Sequence, residues 1–160
     1  MKNLYIDFDG VIIDTYKNFD LKSLKDYPKE KILDFFANFP WDDILKEENI
    51  IKDAINNIQK IIDSEKFNVS ILSHINFLGE GVKKVEFIRK YFKDITVILC
   101  PKEISKTKMV HTEGAILVDD YSANLREWRV EDGIPVKFSL KEENDEFIVI
   151  NSLDKIIDLF

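Results

Sequence analysis

Asp7 and Asp9 stand one residue apart, directly after the apolar run Leu4-Tyr5-Ile6 and directly before Gly10. On an extended chain, side chains two apart point the same way, so both carboxylates can face one site while Phe8 turns back into packing. Gly10 lets the backbone turn sharply and approach a ligand closely. Neighbouring carboxylates raise the cost of ionising each other unless a cation lies between them or one keeps its proton. The pair therefore suits metal binding, acid–base work or both. Two later apolar runs also stop in polar residues: Phe67 to Leu72 ends at Ser73-His74, and Gly114 to Val118 ends at Asp119-Asp120. A calcium loop of the EF-hand type would need a third acidic ligand near position 11 and a Glu near 18. The chain has Val11 and Asn18 there, and a strand in front instead of a helix.

These residues need elements to hold them. Short near-continuous apolar runs read as strands covered on both faces, the mark of a parallel sheet. Besides the three runs above, Ile95 to Cys100 reads as a strand halted by Pro101, Ile134 to Phe138 as another, and Glu146 to Ile150 as an edge strand. Between Thr15 and Lys66 the pattern is helical, with Ile32, Phe35, Phe36 and Phe39 on one stripe and Ile51, Ala54, Ile55, Ile58, Ile61 and Ile62 on a longer one. Pro28 and Pro40 mark helix starts, and about four helices are expected before the second strand. Val82, Val85, Ile88 and Phe92 stripe a further helix, Ser105 is a candidate N-cap for a short one reaching Val110, and Ser152 opens a last one with Leu153, Ile156, Ile157 and Phe160 inward. The Lys141 to Asp145 cluster reads as a solvated loop. Strand alternating with helix predicts an α/β fold, a doubly wound, Rossmann-like open parallel sheet with helices on both faces. Ligands of such sheets bind beyond the carboxyl ends of the strands, so Asp7, Ser73 and Asp119 are expected to meet in one crevice.

At 160 residues, one domain is expected, and 45% hydrophobic with 33% charged residues describes a globular chain with a full core. The net charge of −7 disfavours a nucleic-acid polymer as partner. Small phosphorylated substrates stay open, because a metal reverses the sign locally. Cys100 is the single cysteine, which suits a reducing cytoplasmic setting, and the sequence has neither a signal-peptide pattern nor a membrane-spanning run.

Asp7-x-Asp9-Gly10-Val11-x-x-Asp14-Thr15 after an N-terminal strand resembles the first motif of the haloacid dehalogenase (HAD) superfamily of phosphohydrolases. Ser73 resembles its second motif, Lys106 its third and Asp119-Asp120 its fourth, in the superfamily's order. The resemblance implies a Mg²⁺-dependent phosphomonoester hydrolase with a core of residues 1–14 and 67–160 and a small helical cap inserted at 15–66. Asp7 would attack phosphorus and form an aspartyl-phosphate. Asp7, the backbone carbonyl of Asp9 and Asp119 would hold the metal, with Asp120 holding a ligated water or Lys106. Asp9 would act as general acid and then base. Ser73, Lys106, Gly10 and the His74 amide would address the phosphate, Lys106 being preferred over Lys108, whose claim is comparable. Dehalogenation is disfavoured, since such enzymes dispense with the second aspartate and with metal.

The motif-one pattern, the cap position and Asp-Asp-x-x-x-Asn-x-x-x-Trp (119–128) most resemble the pyrimidine 5′-deoxyribonucleotidase-like group, which implies (deoxy)nucleoside monophosphates as substrates. A sugar- or other small-metabolite phosphatase, or a catalytically idle phosphate- and metal-binding module, are the alternatives. Specificity would lie in the cap, in Trp41 and Phe39, although the Phe35-Phe36-Ala-Asn-Phe39-Pro-Trp41 cluster also reads as cap core. Asp14 and Thr15 read as helix N-caps, and Asn124 and Trp128 as residues that cap and pack the helix after Asp120.

Overall fold

The computed structural model describes residues 1–141 and 146–160. Six strands, β1 (Lys2–Ile6), β2 (Phe67–Ile75), β3 (Thr96–Pro101), β4 (Ile116–Asp119), β5 (Ile134–Phe138) and β6 (Ile148–Ile150), form one parallel sheet in the order β3-β2-β1-β4-β5-β6. The helices are α1 (Lys29–Ala37), α2 (Trp41–Ile44), α3 (Ala54–Asp63), α4 (Leu78–Arg89), α5 (Ser122–Val130) and α6 (Ile156–Leu159). The doubly wound α/β architecture expected from the sequence is the one observed. Of the Lys141 to Asp145 loop only Lys141 lies within the described residues.

β1 shows why the apolar runs are continuous. Leu4 and Ile6 face one side of the sheet and join Ile71, Ile116 and Val118 under Ile58 and Ile61 of α3 and Phe87 and Ile88 of α4. Tyr5 faces the other side and packs with Leu72 and Leu117 under Leu125 and Trp128 of α5. Its ring meets Trp128 edge-on with centroids 5.7 Å apart. A strand buried on both faces has no position for a polar residue until it ends.

The segment between β1 and β2 holds three helices and two short 3-10 turns, at Ser23–Asp26 and Glu47–Asn49, in place of the four helices expected. Pro28 and Pro40 each stand immediately before a helix, where a missing N–H costs nothing. α3 lies in the same apolar cluster as β1 and β2. Phe39, Trp41 and Ile44 are buried in that cluster too, with Tyr16, Phe19 and Phe35 packed against it.

Of the stripe expected on α4 and just beyond it, Ile88 and Phe92 are buried and Val85 is half-buried. Val82 is exposed, and the buried positions are Glu80, Gly81, Lys84, Phe87 and Ile88. An ion pair between Glu80 and Lys84 shares the inward face with Phe87 and Ile88.

Candidate active site

The order β3-β2-β1 on one side and β4-β5-β6 on the other puts the topological switch between β1 and β4, where open α/β sheets bind ligands. Asp7 follows β1 there, its N–H donating to the Val118 carbonyl at 2.9 Å. Asp119 closes β4 and is fully buried. Lys106 comes from the 3-10 turn Lys106–Lys108, which Ser105 caps by accepting from the Thr107 N–H. Its Nζ donates to Asp7 Oδ1 and to Asp119 Oδ2, each at 2.8 Å, with the side chain 2% exposed. Lys108 is exposed.

Asp119 also accepts from the Tyr121 N–H at 2.9 Å and from Asn124 Nδ2 at 3.0 Å. Asn124 thus reaches back from the first turn of α5 to the strand end. Trp128 donates from Nε1 to the Ala115 carbonyl and fixes the helix below. Asp120, exposed on its outer side, sets its carboxylate against Gly10. Gly10 has φ +79°, which favours glycine, and a Cβ there would come within 2.0 Å of Asp120 Oδ2 and displace that carboxylate.

Asp7, Asp119 and Asp120 each offer an oxygen within 4.8 Å of the others. Burial first, and then the charge of Asp119, push the Asp7 carboxyl up to about 7. Asp120 is raised by lost hydration and by the nearby charges of Asp7 and Asp119. Burial alone would raise Asp119 as well, but the Lys106 ammonium and the bonds from Tyr121 and Asn124 hold it below its ordinary value. An all-oxygen set with an excess of negative charge fits magnesium, which takes one or two carboxylates plus waters and substrate oxygens.

Asp9 is anchored through both oxygens. Thr15 Oγ1 donates to Oδ1 at 2.7 Å, and Lys84 Nζ donates to Oδ2 at 2.6 Å. Thr15 caps no helix, contrary to the reading above. The Gly10 N–H bonds the Ile13 carbonyl at 2.8 Å, and this turn carries Thr15 back onto Asp9. Lys84 was not singled out in the sequence, because a Glu and a Lys four apart on a helix ordinarily form a surface pair. Ser73 is fully buried within β2, which runs on to Ile75. Its Oγ donates to the His74 carbonyl at 3.2 Å and accepts from Lys84 at 3.1 Å. The His74 ring bonds the Ile104 carbonyl through Nε2 at 2.8 Å, and burial lowers its pKa.

Beside this centre is a cavity of about 510 Å³ whose walls include Phe36, Phe39, Pro40, Trp41, Phe77 and Glu80. Glu80 links it to the aspartates, since Glu80 bonds Lys84 and Lys84 bonds Asp9. Trp41 and Phe39 are buried, with ring centroids 4.7 Å apart.

No known family model matches the sequence, and no curated protein is significantly similar to it. Solved structures do match it over nearly the whole length. A HAD hydrolase of family IA, variant 3, from Entamoeba histolytica has a TM-score of 0.65 at 13% identity, covering 99% of both chains. The D,D-heptose 1,7-bisphosphate phosphatase of B. bronchiseptica, solved with magnesium and phosphate, has a TM-score of 0.57 at 12% identity, covering 99% of this chain and 97% of its own. A HAD-superfamily hydrolase from Ehrlichia chaffeensis gives 0.55 at 13% identity, with the same coverages of 99% and 97%. The chain has the fold of these hydrolases. Among the described residues no helix is long and apolar enough to cross a membrane.

Proposed function

We propose that the protein is a Mg²⁺-dependent phosphomonoester hydrolase of the HAD type, working through an aspartyl-phosphate on Asp7. The observation that carries this reading is the Lys106 ammonium joined to both Asp7 and Asp119 at the switch between β1 and β4. A lysine placed there holds the nucleophile through Oδ1, leaves the other oxygen to attack, and offsets charge on the transferring group.

Phosphate monoesters hydrolyse extremely slowly without a catalyst, so each residue must supply part of a large barrier reduction. Asp7, Asp119 and the Asp9 backbone carbonyl, with Asp120 beside them, would hold the ion. Bound magnesium supplies the positive charge that lets an anionic nucleophile approach a phosphate dianion. Ser73 donates to a phosphoryl oxygen, and the backbone around Gly10 and His74 contributes N–H groups. Asp9 protonates the leaving oxygen, then takes the proton of the water that cleaves the aspartyl-phosphate. The segment 15–66 carries the wall of the cavity that would receive the leaving group. Phe36, Phe39 and Trp41 in that wall support a (deoxy)nucleoside monophosphate, whose base can stack on aromatic rings.

A panel of nucleoside monophosphates, sugar phosphates and p-nitrophenyl phosphate, assayed for phosphate release with and without Mg²⁺, tests this reading. Metal-dependent release is the expected result. Preference for sugar phosphates would keep the chemistry and replace the nucleotide assignment. No release from any member would leave an idle binding module.

A further inference from the structure

We propose that Lys84 is a second active-site lysine, a positioning residue that fixes the Asp9 carboxylate and the Ser73 hydroxyl relative to each other for proton transfer to the leaving group. The proposal rests on the phosphohydrolase reading above. Lys84 lies on α4, and no part of its side chain reaches solvent. Its Nζ has four acceptors for three protons: Asp9 Oδ2 at 2.6 Å, Glu80 Oε2 at 2.8 Å, Ser73 Oγ at 3.1 Å and the His74 carbonyl at 3.1 Å. The ring of Trp41 lies 5.0 Å from the same nitrogen and that of Phe8 5.3 Å, so aromatic faces exclude water from it.

A single ammonium therefore spans the residue proposed as acid–base group and the residue proposed to hold phosphate. Thr15 on Oδ1 and Lys84 on Oδ2 leave the Asp9 carboxylate one orientation. Lys84 also occupies a lone pair of Ser73, whose own proton bonds the His74 carbonyl, so the hydroxyl is held from both sides. Positioning of this kind matters because small misplacements of a catalytic group cost large factors in rate. A lysine serving stability alone would be an inefficient choice, since burying its charge with two carboxylates costs desolvation that a well-packed apolar side chain avoids.

Lys84→Met removes the link, and its effect should depend on the leaving group. An alkyl phosphate needs a proton on its leaving oxygen, whereas p-nitrophenolate leaves without one. Turnover of an alkyl phosphate used by the wild type is expected to fall about 100-fold, the scale of lost general acid catalysis. The pre-steady-state burst of p-nitrophenolate should slow by less than about ten-fold, on the same scale of proton-transfer effects.

Glu80→Gln combined with Lys84→Met removes the carboxylate that the single variant strands, and serves the same measurements if Lys84→Met does not fold. Equal losses for both leaving groups, or wild-type turnover in a folded variant, would overturn the proposal. So would failure of both variants to fold, which would assign Lys84 to the core. A wild-type protein inactive on every phosphate ester would remove the underlying reading as well, and is recognised before any variant is made.

Discussion

Lys106 and Asp7 are 99 positions apart in sequence, and their charged atoms meet at 2.8 Å where the sheet changes direction. Lys108, two residues on, points to solvent. The pair separates two lysines that the sequence left with comparable claims to one role. Lys106→Met is expected to lower phosphate release by roughly 100-fold or more, the scale of losing one charge-stabilising donor. Lys108→Met should stay near wild type. Steady-state assays of the two variants side by side check this, and the reverse pattern would move the role to Lys108.

The raised Asp7 carboxyl gives the metal-free protein a defined pH dependence. Its folded value of about 7 lies above the ordinary 3.8, so between these limits the folded state binds more protons than the unfolded state. Stability then falls as pH rises through that window. Asp119 is shifted the opposite way, and its contribution is lost only on acidification below its ordinary value. Asp120 is raised in the same direction as Asp7, so melting temperature in chelator is expected to drop from about pH 4 upward as the two carboxyls ionise, and added Mg²⁺ should remove most of that drop. A flat profile in chelator would show that neither carboxyl is raised in the folded protein.

Asp7→Asn should abolish phosphate release while raising the melting temperature of the chelated protein at neutral pH, because a repelling charge is gone. Near-wild-type turnover in this variant would exclude the covalent route.

Asp9 and Asp119 should separate in their effects. Only the backbone of Asp9 is assigned to the metal, so Asp9→Asn is expected to keep Mg²⁺ affinity and lose turnover by roughly 100- to 10,000-fold. Asp119→Asn should lose metal affinity and also leave Lys106 with one carboxylate fewer. Titration calorimetry with Mg²⁺ distinguishes them, and equal loss of affinity would make the Asp9 side chain a ligand.

The sheet was legible from its apolar runs, and β1 and β4 end at Asp7 and Asp119 as expected, whereas β2 runs past Ser73 to Ile75. β5 runs from Ile134 to Phe138 as expected, and Ser105 caps the turn that delivers Lys106. The companions of Asp9 were not legible. Thr15 reaches it through a turn closed by Gly10 and Ile13, and Lys84 reaches it from 75 positions away. Spacing rules describe one element at a time, and neither contact lies within one element. On α4 the expected Ile88 and Phe92 are buried but Val82 is not, and the buried Lys84 has partners in β2 and after β1 that spacing along one helix does not show.

The aromatic wall of the cavity leads to the last prediction, which separates recognition from packing. Trp41 is 7% exposed, packs on Phe39 and covers Lys84, so its removal empties core volume as well as cavity wall. Truncating a buried Trp costs about 3–5 kcal/mol. Trp41→Ala should therefore lower the melting temperature by about 10 °C, at roughly 2–4 °C per kcal/mol for a chain of this size. Phe77 lines the same cavity but is 38% exposed, so it can be truncated with little loss of stability. If a base or other flat leaving group stacks there, Phe77→Ala should raise its KM by about five- to 100-fold, from roughly 1–3 kcal/mol of stacking. Turnover of p-nitrophenyl phosphate at saturation should hardly change, because uniform binding is what is lost. KM values for the preferred ester and for p-nitrophenyl phosphate, measured with melting curves of both variants, decide it. An unchanged KM for the preferred ester in Phe77→Ala would place the leaving group outside this cavity.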